Sequence, residues 1–458
     1  MIRLFNLYIP TRLLFLILGE IATVCASFSL AIFIRFRGES YIAFTDEHAF
    51  FKIFAVAILA LVFSHFTEFY DLRQRSHPRD IGARVLIMVA FFSFLFGAVA
   101  YFSPDLLVGR NSFLIGLCIL AISWILWRWT YERLVFHPAL RERVYLIGNG
   151  ERAKRIAEAI EGHGELGMDL VGWAGKAAAN PVTSQSLQVV LRDLRNKRSL
   201  DRVIVALTDR RSMMPVEELL ELRLDGVRIE DGTSLIEKVS GQVEVDELHP
   251  SWMIFGGGFR VSPSRWFARR IVSVALALTL SILTLPFVPI IALLIKLTSR
   301  GPVLYKQRRV GLRGKVFHCF KFRTMRTDAE ADTGPTWARD DDPRITVVGR
   351  FLRRSRLDEI PQLWNVLRGD MAFVGPRPER PEFVDKLGQA IPYYNIRHVA
   401  RPGITGWAQI NYGYGSSVEE AKEKLRYDLY YIRNVSVILD LIIVFRTFRA
   451  VLVGRGVR

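Results

Sequence analysis

Cysteine is nearly missing from this sequence: Cys25, Cys118 and Cys319 are three residues in 458. They are too few and too scattered for a disulfide framework or a metal-ligand spacing, and a reducing compartment fits them. No Tyr-x-x-x-Lys pair occurs anywhere in the chain, which disfavours a short-chain dehydratase or reductase. Nor is there a basic stripe interleaved with stacking aromatics; the Lys and Arg residues flank apolar runs instead, so nucleic acid is set aside as a partner. Acids are outnumbered, 45 against 62 cations, for a net charge of +17, yet half of the chain is hydrophobic. So much apolar surface needs a solvent that accepts it. A bilayer supplies one, and the basic residues then suit anionic headgroups or anionic substrates. The length allows two or three domains.

What is present begins with four apolar runs, at roughly 13–34, 50–70, 85–103 and 112–131. Each is close to the ~20 residues that a membrane-spanning helix needs. Glu20 interrupts the first run and no small-residue cleavage site follows it, so the run reads as a spanning helix and not as a cleaved signal. The second loop holds Arg73, Arg75, Arg79 and Arg84, whereas the third holds Arg110 alone. The positive-inside rule therefore places the second loop, both ends of the bundle and everything after Arg133 in the cytoplasm, with Arg35 and Arg37 as exceptions on the outer side.

From Arg143 the texture becomes α/β. RVYLIGNGERAKRIAEAI reads as a strand, a glycine turn and an amphipathic helix, and DRVIVAL and VRIEDG read as later strands. The turn Gly148-Asn149-Gly150-x-x-Ala153 approximates a dinucleotide fingerprint. The second strand, around LVGWAG, lacks the acid that would hold a ribose, so the residues favour a structural or regulatory Rossmann-like domain over nicotinamide chemistry. A fifth apolar run, Ile271 to Ile295, lies between Arg265, Arg269 and Arg270 on one side and Lys296 and Arg300 on the other. Pro286 and Pro289 break it. The piece before Pro286 is about 15 residues, or ~22 Å, short of the ~30 Å hydrocarbon core. A re-entrant helix-break-helix is expected, with a fifth spanning helix kinked at proline as the alternative.

The last third carries the chemistry. Between Lys306 and Arg356 there are fourteen Lys and Arg against six acids. KFRTM (Lys321 to Met325) sets Lys321 and Arg323 on either side of an apolar position. GPRP (Gly375 to Pro378) fixes Arg377 between two prolines, and a rigidly presented guanidinium suits bidentate phosphate recognition. RPGITGW places Arg401 on a third rigid turn. Arg353 stands in RRSRLDEIPQLWN, where Asp358 and Glu359 lie side by side before Pro361. Nearby positive charge favours the ionised form of a carboxylate. An ionised pair can divide its labour between attack on phosphorus and holding a divalent cation.

The ordered set KFRTM, DEIPQLWNVLRGDM, VGPRPE, RPGITGWAQIN and YDLYYIRN, over roughly 265–453, resembles the bacterial sugar transferase family, the monotopic polyprenyl-phosphate glycosyl-1-phosphate transferases. The preceding bundle and Rossmann-like region resemble the large members that start exopolysaccharide or O-antigen repeat units. The resemblance implies transfer of a sugar 1-phosphate from a UDP-sugar to undecaprenyl phosphate, with release of UMP and with Mg²⁺, through a phosphosugar on the aspartate. By position, Asp358 would be the nucleophile and Glu359 a magnesium ligand or orienting acid, the two together forming the metal-binding dyad. Arg353 and Arg377 would grip phosphates, Lys321, Arg323 and Arg401 would line the same site, and Asp440, Gln409 and Asn411 are lesser substrate-binding candidates. Ala372 and Leu285 depart from the family's usual serine after GDM and small polar residue before the hairpin proline.

The expected fold is membrane α plus α/β. It comprises a four-helix transmembrane bundle over 1–135, a Rossmann-like cytoplasmic domain over 141–250 and an α/β catalytic domain over 262–458 anchored by a re-entrant hairpin at about 268–297. The expected place is the bacterial inner membrane, multi-pass, with a homodimer allowed. The rival readings are a membrane-anchored nucleotide-binding sensor and a non-catalytic scaffold for polysaccharide assembly.

Overall fold

The computed structural model describes residues 2–4, 7–45, 48–66, 70, 78–102, 109–135, 137–175, 184–197, 199–207, 214–245, 262–327, 329, 342–413 and 417–453. The loop positions Arg73 and Arg75 and the expected domain edge at residue 250 lie outside them. The chain divides into two compact units, and apart from residues 4–7 the division falls between Leu235 and Ile236.

In the first unit the four apolar runs are the helices α1 (Thr11–Phe36), α2 (Ala49–Phe66), α3 (Pro78–Phe102) and α4 (Arg110–Val135). They are apolar on nearly every side, and each contains a stretch long and apolar enough to cross a membrane. Their inward faces share one core that includes Phe28, Ile53, Met88, Phe92, Leu120 and Trp124. Small residues allow α1 and α4 to approach closely. A Cβ on Gly116 would lie 2.5 Å from the Phe28 ring, and one on Gly19 would collide with Trp127. Phe33, Phe51, Leu86 and Phe94 point outward and exposed, as a helix facing lipid requires. Glu20, fully buried, pairs with Arg128 at 2.6 Å and accepts a hydrogen bond from the Tyr70 hydroxyl at 2.6 Å.

The α/β region follows in the same unit: β1 (Glu142–Ile147), α5 (Gly150–Gly162), β2 (Met168–Ala174), α6 (Ser184–Asn196), β3 (Arg202–Val205), α7 (Val216–Leu224) and β4 (Arg228–Asp231). All strand pairs are parallel, in the order β2-β1-β3-β4. The strands expected at RVYLI, LVGWAG, DRVIVAL and VRIEDG are these four. Gly148 is required by space: a Cβ there would come 2.7 Å from the carbonyl oxygen of Ala206. The Trp173 indole donates to the Gly148 carbonyl at 2.9 Å, so an aromatic ties the glycine turn at the strand end where a dinucleotide fold has its ribose-binding acid.

The division between units runs through α8 (Gly232–Ser240). In the second unit, α9 (Pro263–Thr284) and α10 (Val288–Thr298) are separated by a 3-10 turn at Leu285–Phe287, where Pro286 interrupts the helical hydrogen bonds. Their lipid-like outer residues include Phe267, Ile282, Leu285, Leu293 and Leu297. An antiparallel hairpin, β5 (Leu304–Val310) and β6 (Val316–Phe322), leads to α11 (Val347–Arg354), capped by the Thr346 hydroxyl, and to α12 (Gln362–Arg368). The short strand β7 (Ala372–Val374) pairs in parallel with β8 (Gly403–Thr405), with α13 (Pro381–Ala390) between them. The helices α14 (Val418–Arg433), opened by a Ser417–Glu420 capping box, and α15 (Val437–Val453) complete it.

Two apolar clusters seat the broken helix on this unit. Ala277 packs with Cys319, Leu363, Val366 and Met371, and Ile291 and Ile295 pack with Phe322 and Leu352. These contacts set β6, α11 and α12 around the same base, and the acidic pair lies between the last two helices.

Candidate active site

Asp358 and Glu359 end a single 3-10 turn, Leu357–Glu359, between α11 and α12. Arg356 enters that turn in the left-handed region at φ 57°, an uncommon conformation for a residue with a side chain. Pro361 then leads directly into α12. The turn points both carboxylates inward, and each residue is 7% exposed.

Three separate pieces of chain converge on Glu359. Lys321, near the end of β6, donates to Oε1 at 3.0 Å, and Arg377, from the turn after β7, donates to the same oxygen at 2.9 Å. Arg356 approaches it at 3.9 Å. Burial alone would push the Glu359 carboxyl up, but Lys321, Arg377 and Arg356 outweigh burial and hold it well below the usual carboxylate range. Asp358 goes the other way. Burial raises its carboxyl, Lys321 opposes that, the Glu359 charge adds to it, and Arg353 and Arg377 oppose it again. No hydrogen bond or ion pair reaches Asp358 among the described residues. The sequence suggested that a cationic pocket would keep both acids ionised alike. In the structure the cations bond Glu359, and Asp358 is left raised and unbonded beside it.

The other expected residues separate into two groups. Arg353 stays close to the dyad, with its Nε held by the Thr324 hydroxyl at 2.9 Å. Thr324 is itself fixed by proximity, because Gly349 of α11 sits so near that a Cβ would reach its carbonyl at 2.0 Å. Arg323 turns elsewhere: it is buried and donates to the carbonyl and hydroxyl of Ser299 at 2.8 Å each, at the end of α10. Arg401 has Arg269 and Arg270 as its charged neighbours. Asp440 is the counter-ion of Arg269, at 2.7 Å, and accepts a hydrogen bond from the Tyr431 hydroxyl at 2.8 Å. Gln409 and Asn411 donate to nearby backbone, the carbonyls of Ile404 and Trp407.

Sequence reasoning passed over the support of Arg377. Arg397, buried, donates to the Arg377 carbonyl at 3.0 Å, to Asp428 at 2.8 Å and to the Tyr394 hydroxyl at 2.5 Å. Burial pushes Asp428 up to about 6 against the pull of Arg397. Asn365 is also buried; it bonds the backbone of His318 and Phe320 at 2.7 and 3.0 Å and so locks α12 to the strand that carries Lys321. Asp428 and Asn365 both lie inside motifs visible in the sequence, but their partners are far away along the chain.

Two adjacent carboxylates suit a divalent cation that takes its remaining ligands from substrate phosphates and water, the usual habit of Mg²⁺. Among the described residues no group of three or more His, Cys, Asp or Glu could hold a metal by itself. The dyad fits a divalent cation that takes its other ligands from a phosphate substrate.

The family model described as bacterial sugar transferase matches residues 264–454. A UDP-N-acetylgalactosamine-undecaprenyl-phosphate N-acetylgalactosaminephosphotransferase from Aeromonas hydrophila is 42% identical over 222 residues, 48% of this chain and 52% of its own. A UDP-glucose:undecaprenyl-phosphate glucose-1-phosphate transferase from Escherichia coli K12 is 45% identical over 181 residues, 39% of each chain. The chain thus spans about half or less of the length of these two relatives. An exopolysaccharide production protein PSS from Rhizobium leguminosarum bv. phaseoli is 44% identical over 169 residues, which are 35% of this chain but 84% of that protein. With its dyad, cationic turns and broken apolar helix all inside the matched region, this chain belongs to the bacterial sugar transferase family.

Proposed function

We propose that the protein transfers a sugar 1-phosphate from a UDP-sugar to undecaprenyl phosphate and releases UMP, the first membrane step of exopolysaccharide or O-antigen synthesis. One observation carries this reading: a nearly enclosed, unbonded Asp358 beside a Glu359 that gathers Lys321 and Arg377. The names of the relatives support the donor and acceptor classes.

In the first step an Asp358 carboxylate oxygen attacks the sugar-linked phosphorus. The bond from that phosphorus to the bridging oxygen breaks, and UMP leaves with the electron pair. In the second step an oxygen of the lipid phosphate attacks the same phosphorus, and the acyl phosphate bond breaks to restore the Asp358 carboxylate. Glu359 orients Lys321 and Arg377, whose positive charge stabilises the phosphorane-like transition state. Arg397 holds the Arg377 backbone in place. Asp358 and Glu359 would hold Mg²⁺, which supplies charge neutralisation to the donor's diphosphate when bound.

The broken helix is read as re-entrant, with domain 262–458 on the cytoplasmic side of the inner membrane and anchored by residues at about 268–297. Support comes from both arms gripping the same unit: Arg269 and Arg270 near the start, and Ser299 through Arg323 at the end. Cysteines placed at Arg265 and Gly301 should both resist an impermeant reagent outside intact cells, and labelling at position 301 alone would identify a spanning helix. The domain limits 1–135 and 141–250 and a homodimeric assembly belong to this reading too.

A nucleotide sensor built on the α/β region is disfavoured by Trp173 across the glycine turn, and a scaffold without catalysis has no use for an unbonded buried aspartate. The relatives at 42% and 45% identity carry two different sugars in their names, so identity at this level does not choose the sugar. The direct test is UMP release by purified protein across a panel of UDP-sugars. Release from one or more of them, dependent on Asp358, is expected; release from none would end the transferase reading.

A further inference from the structure

The α9 helix opens with Arg265, Trp266, Arg269 and Arg270. Two of these cations are committed within the fold. Arg269 is bonded to Asp440 at 2.7 Å, and Arg270 donates to the carbonyls of Val366 and Leu367 at 2.5 and 2.9 Å. There Arg270 closes the C-terminus of α12, whose free carbonyls suit a cation. Arg401 comes in beside them from the Arg401-Pro402-Gly403 turn, with its guanidinium 6.0 Å from the centre of the Trp266 ring. Burial, Arg270 and Arg269 together push its pKa down. Among the described residues Arg401 makes no hydrogen bond or ion pair, and its charged neighbours are Arg270 and Arg269. A half-buried arginine beside two others is costly until an anion joins it.

The surroundings narrow down the anion. The turn of Arg401 backs onto the turn that presents Arg377: Gly403 N–H donates to the Pro376 carbonyl at 3.0 Å, and a Cβ on Gly375 would reach the Arg401 carbonyl at 2.2 Å. One residue after Trp266, α9 begins an exposed apolar face, where Phe267, Ile271 and Leu278 share one side of the helix and are 69%, 54% and 47% exposed. A lipid whose chain runs along that face would carry its phosphate toward the first turn of α9, where Arg401 meets Trp266.

We infer that Arg401, beside Trp266, receives the phosphate of the lipid acceptor as it approaches along α9, before that phosphate moves into the place UMP has vacated opposite Asp358. The ligand class is a phosphate monoester on a long hydrocarbon chain lying in the bilayer. This assignment rests on the transferase reading above. It moves Arg401 out of the donor pocket where the sequence motif had suggested it.

The test uses full-length Arg401→Ala and Arg401→Lys in detergent, with UMP release before acceptor is added assayed apart from transfer to undecaprenyl phosphate. The UMP burst and the donor KM are expected to keep their wild-type values. The acceptor KM should rise about tenfold or more in Arg401→Ala, the scale of a lost charged hydrogen bond, and less in Arg401→Lys, which keeps the charge without the fork. A raised donor KM, a lost burst or an unchanged acceptor KM would overturn the assignment. A second arm follows retention of undecaprenyl phosphate and of phosphatidylglycerol by native mass spectrometry and needs no turnover. Equal loss of both lipids with an unchanged acceptor KM would make this a bulk headgroup site and sink the proposal. Arg401-dependent retention of undecaprenyl phosphate in a protein that releases UMP from no UDP-sugar would sink the transferase reading and leave the lipid-phosphate site standing.

Discussion

The buried glutamates Glu20 and Glu359 both answer arginine, and they do so in opposite ways. Glu20 in the helical bundle meets Arg128 and the Tyr70 hydroxyl, with both acid and arginine buried. Glu359 gathers Lys321, Arg377 and Arg356 on a single oxygen, while Asp358 beside it has no bonded partner. The first arrangement sets an arginine and a tyrosine hydroxyl against one acid and fits a pair that holds helices together in an apolar medium. The second concentrates positive charge around one acid and leaves another free to react. Burial of charge is common to both; the number of cations gathered on the acid separates them.

The largest expected effect falls on the free member of the second set. Asp358→Asn should lower UMP release and lipid product together by roughly three orders of magnitude or more, since an amide is a far poorer nucleophile. Glu359→Gln should also be severely impaired because Lys321 and Arg377 lose their shared anchor. Activity near wild type in either variant would remove the division of labour assigned here. Next comes Arg377→Lys, which keeps the sign of the charge but not the planar fork. A fall of roughly a hundredfold in kcat/KM is expected, the scale of one lost transition-state donor. A near-normal value would reduce Arg377 to general electrostatics.

In the bundle the comparison predicts a stability effect and not a catalytic one. Arg128→Leu strands Glu20 in an apolar interior and should cost about 3–5 kcal/mol, whereas Glu20→Leu combined with Arg128→Leu should recover most of that. Thermal unfolding in detergent checks the pair. If the double variant were as unstable as the single one, the ion pair would be doing more than neutralising itself.

Much of this was legible in the sequence because it depends on local rules. Four apolar runs gave four helices, Pro286 gave the break, and the strand-glycine-helix pattern at Val144 to Ile160 gave a parallel sheet. The dyad and its cations were likewise visible as residue types on rigid turns. Which cation meets which acid was not, since Lys321 and Arg377 stand 38 and 18 residues from Glu359. For the same reason the resemblance and the rigid turns grouped Arg323 and Arg401 with the dyad without revealing that Arg323 donates to Ser299 or that Arg401 lies beside Trp266. The buried Arg397–Asp428 pair that holds the Arg377 turn had no signal of its own: an arginine and an aspartate 31 residues apart look like any two surface charges until the helices close over them.

The central claim is that Asp358 is left unbonded because it forms the bond to phosphorus. Wild-type protein incubated with its UDP-sugar, in the absence of lipid acceptor, tests this by intact-protein mass spectrometry with peptide mapping. A single sugar-phosphate adduct on Asp358, formed with stoichiometric UMP and discharged by added undecaprenyl phosphate, is the predicted result. Normal turnover with intersecting bisubstrate kinetics and no adduct at any time would mean direct transfer in a ternary complex, and would contradict the assignment of Asp358 as the nucleophile.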